Sequence, residues 1–137
     1  MTGKIHVHED DVPWGDYSAW YPEEMLTKLR AKRFVGPDCP IPMKDTLLGL
    51  LELDPGAEYP AHRHASPELY YVTQGQAECR FGDEVFTARK GSIIHTRPNV
   101  VHAFKNTGEE PFVAIGFWWM PAKDGEELDD NLELVGD

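Results

Sequence analysis

The sequence predicts an all-β barrel with an N-terminal arm and one short helix. Three observations carry that reading. Seven short β-prone runs follow one another from residue 46 to residue 119. Turn-forming segments separate them, and the chain is generous in turn formers, with 12 glycines and 11 prolines. Several runs are apolar on both faces, as expected of strands held between a barrel interior and a second layer.

Residues 1–45 read as an arm and a helix packing on the barrel. Trp14, Tyr17, Trp20 and Tyr21 cluster in the arm and offer rings for docking. The helix is expected over residues 22–33. Pro22 suits a first turn, Glu23 and Glu24 its positive end, and Lys28 to Arg33 its negative end. Met25, Leu26 and Leu29 supply an apolar stripe, and Gly36-Pro37 opens a loop that stops it.

Residues 46–121 form the expected barrel. Its runs are TLLGLLEL, ELYYVT, AECRF, EVFTA, SIIHT, VHAFKN and FVAIGFWW. The segments between them are DPGAEYP, QGQ, GD, RKG, RPN and TGEEP, with Gly82-Asp83 fitting a two-residue hairpin loop. Residues 122–137 read as an acidic tail in water.

Composition narrows the partners. The 137 residues are 41% hydrophobic and 27% charged, enough for one domain with a core. The formal net charge of −11 argues against nucleic acid and anionic membrane surfaces, both of which are bound through Lys and Arg patches. The N-terminus has no apolar signal-peptide core, and no stretch approaches a membrane span of about 20 apolar residues. A cytoplasmic location is expected, with Cys39 and Cys79 as reduced thiols.

The chemistry-bearing residues are His62, His64, Glu68 and His102. His62 and His64 alternate, so on a strand both imidazoles face one point. Glu68 opens the next run after a short break. His102 follows the Pro98-Asn99 turn, where a neighbouring strand can deliver a third imidazole. Three imidazoles and a carboxylate suit one divalent ion, with Fe, Zn, Mn, Ni and Co all compatible. Tyr70 lies two positions after Glu68 and points to the same side, whereas Tyr71 points outward. His95 is expected to face the interior as a group near the substrate.

Gly56, His62, His64, Glu68 and Gly75 match the spacing G-x5-H-x-H-x3-E-x6-G, which resembles the first motif of the cupins. Gly82, Gly91, Pro98, His102 and Asn106 resemble the second, with Arg89 standing where a proline is usual. The resemblance spans roughly residues 47–120 and implies a double-stranded β-helix with the metal inside. Within that superfamily the text H-x-H-x3-E-x-Y, then P-x3-H-A and an apolar strand ending in aromatics, is similar to the small lyases that cleave dimethylsulfoniopropionate (DMSP). The resemblance implies β-elimination to dimethyl sulfide and acrylate. The substrate would be a small cationic carboxylate.

Tyr70 would act as the base, because a phenol of ordinary pKa about 10 is activated by a nearby cation. Aromatic faces attract a sulfonium, and Tyr59, Phe104 and Trp118, with His95, form the expected substrate set. Other readings of the same shell are an iron-dependent dioxygenase and a cupin that binds or isomerises a sugar or small carboxylate. A homodimer is expected from the doubly apolar strands and the resemblance.

Overall fold

The computed structural model describes residues 3–16, 23, 29–119 and 133–135. Eleven strands arise in these segments: β1 Leu29–Gly36, β2 Ile41–Pro42, β3 Thr46–Leu53, β4 Glu58–Arg63, β5 Glu68–Gln74, β6 Gln76–Phe81, β7 Glu84–Arg89, β8 Ile93–Thr96, β9 His102–Lys105, β10 Phe112–Trp119 and β11 Glu133–Leu134. They form two sheets, ordered β2-β1-β3-β10-β5-β8 and β11-β4-β9-β6-β7. The barrel core fills the space between the sheets. Leu53, Val72, Ala77, Cys79, Ala88, Phe104, Phe112 and Ala114 are almost fully enclosed there.

Binary patterning explains which face each strand buries. In β5, Glu68, Tyr70 and Val72 are buried while Leu69, Tyr71 and Thr73 are exposed. In β6, Ala77, Cys79 and Phe81 are buried and their neighbours are not. Burial raises the Cys79 thiol to about 11, so it behaves as a small apolar core residue. The β6–β7 hairpin turns at Gly82-Asp83 as the sequence predicts, with Gly82 at φ 60°. At Gly75, φ is 78°, and an added Cβ would stand 2.5 Å from the Pro111 carbonyl oxygen. Glycine is therefore required between β5 and β6.

Three expectations need correction. The helix over 22–33 does not run its length. Glu23 is helical, but the chain from Leu29 is β1, paired antiparallel along β3; residues 24–28 lie outside the described residues. Edge-on pairing with a long apolar strand outweighs the helical charge pattern. Second, the loop after Gly36 contains β2, which pairs parallel with β1. Third, the segment expected as a solvated tail returns to the barrel as β11. It pairs with β4, and Arg63 bonds Glu133 at 2.8–2.9 Å.

Two residues of the N-terminal segment, Val12 and Trp14, touch the barrel. Val12 joins Phe34 and Leu50 on the outer face of the larger sheet, and Trp14 lies under Arg30 and Lys32 at 5.3 and 4.7 Å. Tyr17, Trp20 and Tyr21 lie outside the described residues. Among the described residues no helix is long and apolar enough to cross a membrane.

Candidate metal centre

Two strands of the smaller sheet deliver the imidazoles. His62 on β4 stands opposite His102 on β9, and their ring centroids are 3.9 Å apart. His64 follows β4 and meets His102 edge-on at 4.9 Å. Its carbonyl accepts the Asn99 N–H at 2.8 Å, which ties it to the turn before His102. All three side chains are buried, and their ligand atoms lie within 4.8 Å of one another.

The hydrogen bonds fix how the rings face. His62 Nδ1 lies 2.7 Å from the Pro60 carbonyl, His64 Nδ1 2.9 Å from that of Ser66, and His102 Nδ1 2.9 Å from that of Val100. A carbonyl only accepts, so each Nδ1 carries the proton and each Nε2 presents a lone pair. His62 Nε2 and His102 Nε2 are buried without a hydrogen-bond partner. Leaving such atoms unsatisfied costs about 1–3 kcal/mol each. A cation between them removes that cost, so the residues fit a metal ion.

Electrostatics agrees. Burial, then the neighbouring His102, lowers His62 to about 2, and burial lowers His102 to about 4. Both rings are neutral near pH 7, the form that binds metal. Glu68 on β5 of the larger sheet brings Oε1 to 3.2 Å from His64 Nε2. Glu68 thus meets His64 and stands outside the group of three histidines whose ligand atoms lie within 4.8 Å of one another.

Residues 49–119 match the family described as the cupin domain, just over half of the chain. The chain belongs to the cupin family. Its two facing sheets are the double-stranded β-helix of cupins. An uncharacterized protein of Streptomyces coelicolor is 31% identical over 70 residues, 51% of this chain and 67% of that protein.

Solved structures share the fold at lower identity. The DMSP lyase DddQ from Ruegeria pomeroyi matches with TM-score 0.73 and 20% identity, over 92% of this chain and 62% of that chain. This cupin therefore spans less than two thirds of that lyase. The polyketide cyclase RemF from Streptomyces resistomycificus matches with TM-score 0.76 and 15% identity, over 97% of this chain and 86% of that one.

A cavity of about 60 Å³ opens beside His64, and Glu68, Tyr70, Tyr59, Trp118 and Arg33 are among its other walls, whereas His62 and His102 do not line it. Tyr70 is buried, as alternation from Glu68 requires, and Tyr71 is 52% exposed on the opposite face. Tyr59 stacks on His62 at 3.9 Å, the rings nearly parallel at 8°. Simple alternation would put residues 59 and 62 on opposite faces. A register shift between them resets the pattern and turns both inward.

Two sequence-predicted residues are not at the cavity. His95 is exposed, because Ile94 and Thr96 take the interior face of β8 and His95 pairs with outward Leu69. Phe104 is 1% exposed but packs in the core against Tyr70, Phe81 and Phe112 at 5.1–5.9 Å, behind the cavity.

Sequence reasoning also missed two residues. Thr96, opposite Glu68 in register, is 1% exposed and its hydroxyl has no hydrogen-bond partner. Arg33 was assigned to a helix end. The register of β8 on β5 would have found the first, and strand pairing of β1 the second.

Proposed function

We propose that this cupin is a metal-dependent carbon–sulfur lyase that cleaves DMSP to dimethyl sulfide and acrylate. The observation that carries the proposal is a buried tyrosine, Tyr70, sharing one cavity wall with Glu68 and His64. His62, His64 and His102, with Glu68 as fourth ligand, hold the ion. A divalent ion bound there supplies a Lewis acid for the negative charge that develops as the proton leaves.

The Tyr70 phenolate takes a proton from the carbon next to the substrate carboxylate. The released electron pair forms the C=C bond. The adjacent C–S bond breaks, and its electrons leave with neutral dimethyl sulfide. Tyr59 offers aromatic surface to the sulfonium, worth about 0.5–2 kcal/mol. Apolar Leu29 and Leu51 on the cavity wall keep water from the reacting carbon.

Metal-loaded protein incubated with DMSP should release dimethyl sulfide into the headspace without consuming oxygen. Gas at background, or oxygen uptake instead, rejects the lyase reading. Tyr70→Phe should lower turnover by at least about 100-fold, the scale of general base catalysis, at unchanged metal content. An active Tyr70→Phe protein removes Tyr70 from the mechanism.

A further inference from the structure

We infer that Arg33 is the residue that selects carboxylate ligands in this cavity. The inference rests on the cavity being the substrate site. Arg33 pairs with Gly49, Gly49 with Gly116, and Gly116 with Tyr70. One row across the larger sheet therefore carries a side chain at each end and two glycines between. Three strand spacings separate the ends, about 14 Å.

A Cβ on Gly49 would stand 2.4 Å from the Lys32 carbonyl oxygen, so glycine there allows the close approach of β1 to β3. A Cβ on Gly116 would come within 3.3–3.4 Å of Glu68 Oε2, Trp118 and Tyr70. Glycine at 116 thus leaves room for these three side chains, which line the cavity with Arg33.

Arg33 is a cavity-wall residue, and its guanidinium carbon lies 5.9 Å from the Trp118 ring centroid. An aromatic face holds a guanidinium plane in place. The group carries five N–H donors, so contacts within the fold and a ligand can share it. It is permanently cationic and matches a carboxylate with two parallel hydrogen bonds. Arg33 thus receives the carboxylate and Tyr70, lining the same cavity, meets the reacting C–H. Trp118 serves as the rest for the guanidinium.

The test titrates the metal-loaded full chain with propionate and with its neutral isostere propionamide, following tryptophan fluorescence. Arg33→Gln should weaken propionate at least tenfold and leave propionamide unchanged, at wild-type metal content. Arg33→Lys should recover part of the loss. Propionate binding by Arg33→Gln within twofold of wild type overturns the assignment. Should Arg33→Gln fail to fold by circular dichroism, Arg33→Met takes its place under the same criterion.

With DMSP, the substitution should raise KM far more than it lowers kcat, and an unchanged KM also overturns the assignment. Arg33-dependent propionate binding without any dimethyl sulfide release rejects the lyase reading and leaves Arg33 standing.

Discussion

His102 holds the cluster together at the scale of single residues. It faces His62 at 3.9 Å and His64 at 4.9 Å, and its Nε2 has no hydrogen-bond partner. Substituting His102→Ala should reduce bound metal from about one ion per chain to near zero, as read by elemental analysis. Retention of stoichiometric metal would contradict the three-imidazole centre.

The same burial gives the metal-free protein a pH dependence. His62 and His102 titrate in the folded state at about 2 and about 4, below the ordinary 6.5. Above pH 6.5 both are neutral, folded or unfolded. Below it the unfolded chain takes up protons that the folded chain refuses. Stability is therefore full above pH 6.5 and falls as pH drops toward 4, by up to about 1.4 kcal/mol per pH unit for each ring. Urea midpoints of chelator-treated protein at pH 7.5 and 5.5 measure it, and equal midpoints refute it.

Among the elements, β10 and β4 shape the cavity. Gly116 of β10 lies where any side chain would press on Glu68, Trp118 and Tyr70. Its backbone is ordinary strand, so Gly116→Ala should fold with a melting temperature close to wild type and lose most catalysis. A fully active variant would show that catalysis does not depend on the close placing of Glu68, Trp118 and Tyr70 over Gly116. In β4 the register shift between Tyr59 and His62 turns both rings inward.

How legible each element was depends on whether its geometry is local. His62, His64 and Glu68 were readable because alternation within a few residues and glycine-marked turns fix where they point. His95 was misplaced because the phase of β8 depends on its pairing with β5, a contact across more than twenty residues. Arg33 was misread because 22–33 carries a helical charge pattern, yet pairing of β1 with β3 decides its structure.

Across the whole molecule, the site is built from both sheets. The smaller sheet and its following loop give the imidazoles, and the larger gives Glu68, Tyr70 and Arg33. An all-β barrel was legible from strand spacing and turns. The closing strands β1 and β11 were not, since neither carries a distinctive local pattern and both are defined by partners far away in sequence.

The short β11 closes an edge that matters. It covers β4 opposite His62, and the Val135 N–H reaches the Ala61 carbonyl at 2.9 Å. A chain cut back to residue 130 would bare the outer hydrogen-bonding groups of the very strand that carries His62. Such a shortened protein should hold its ion at least about tenfold less tightly, the low end of what a lost supporting contact costs, and form aggregates visible by light scattering. Full metal affinity in a monodisperse truncate would mean that β11 is a bystander. With the expected loss, residues 133–135 act less as a tail than as a latch on the metal-bearing strand.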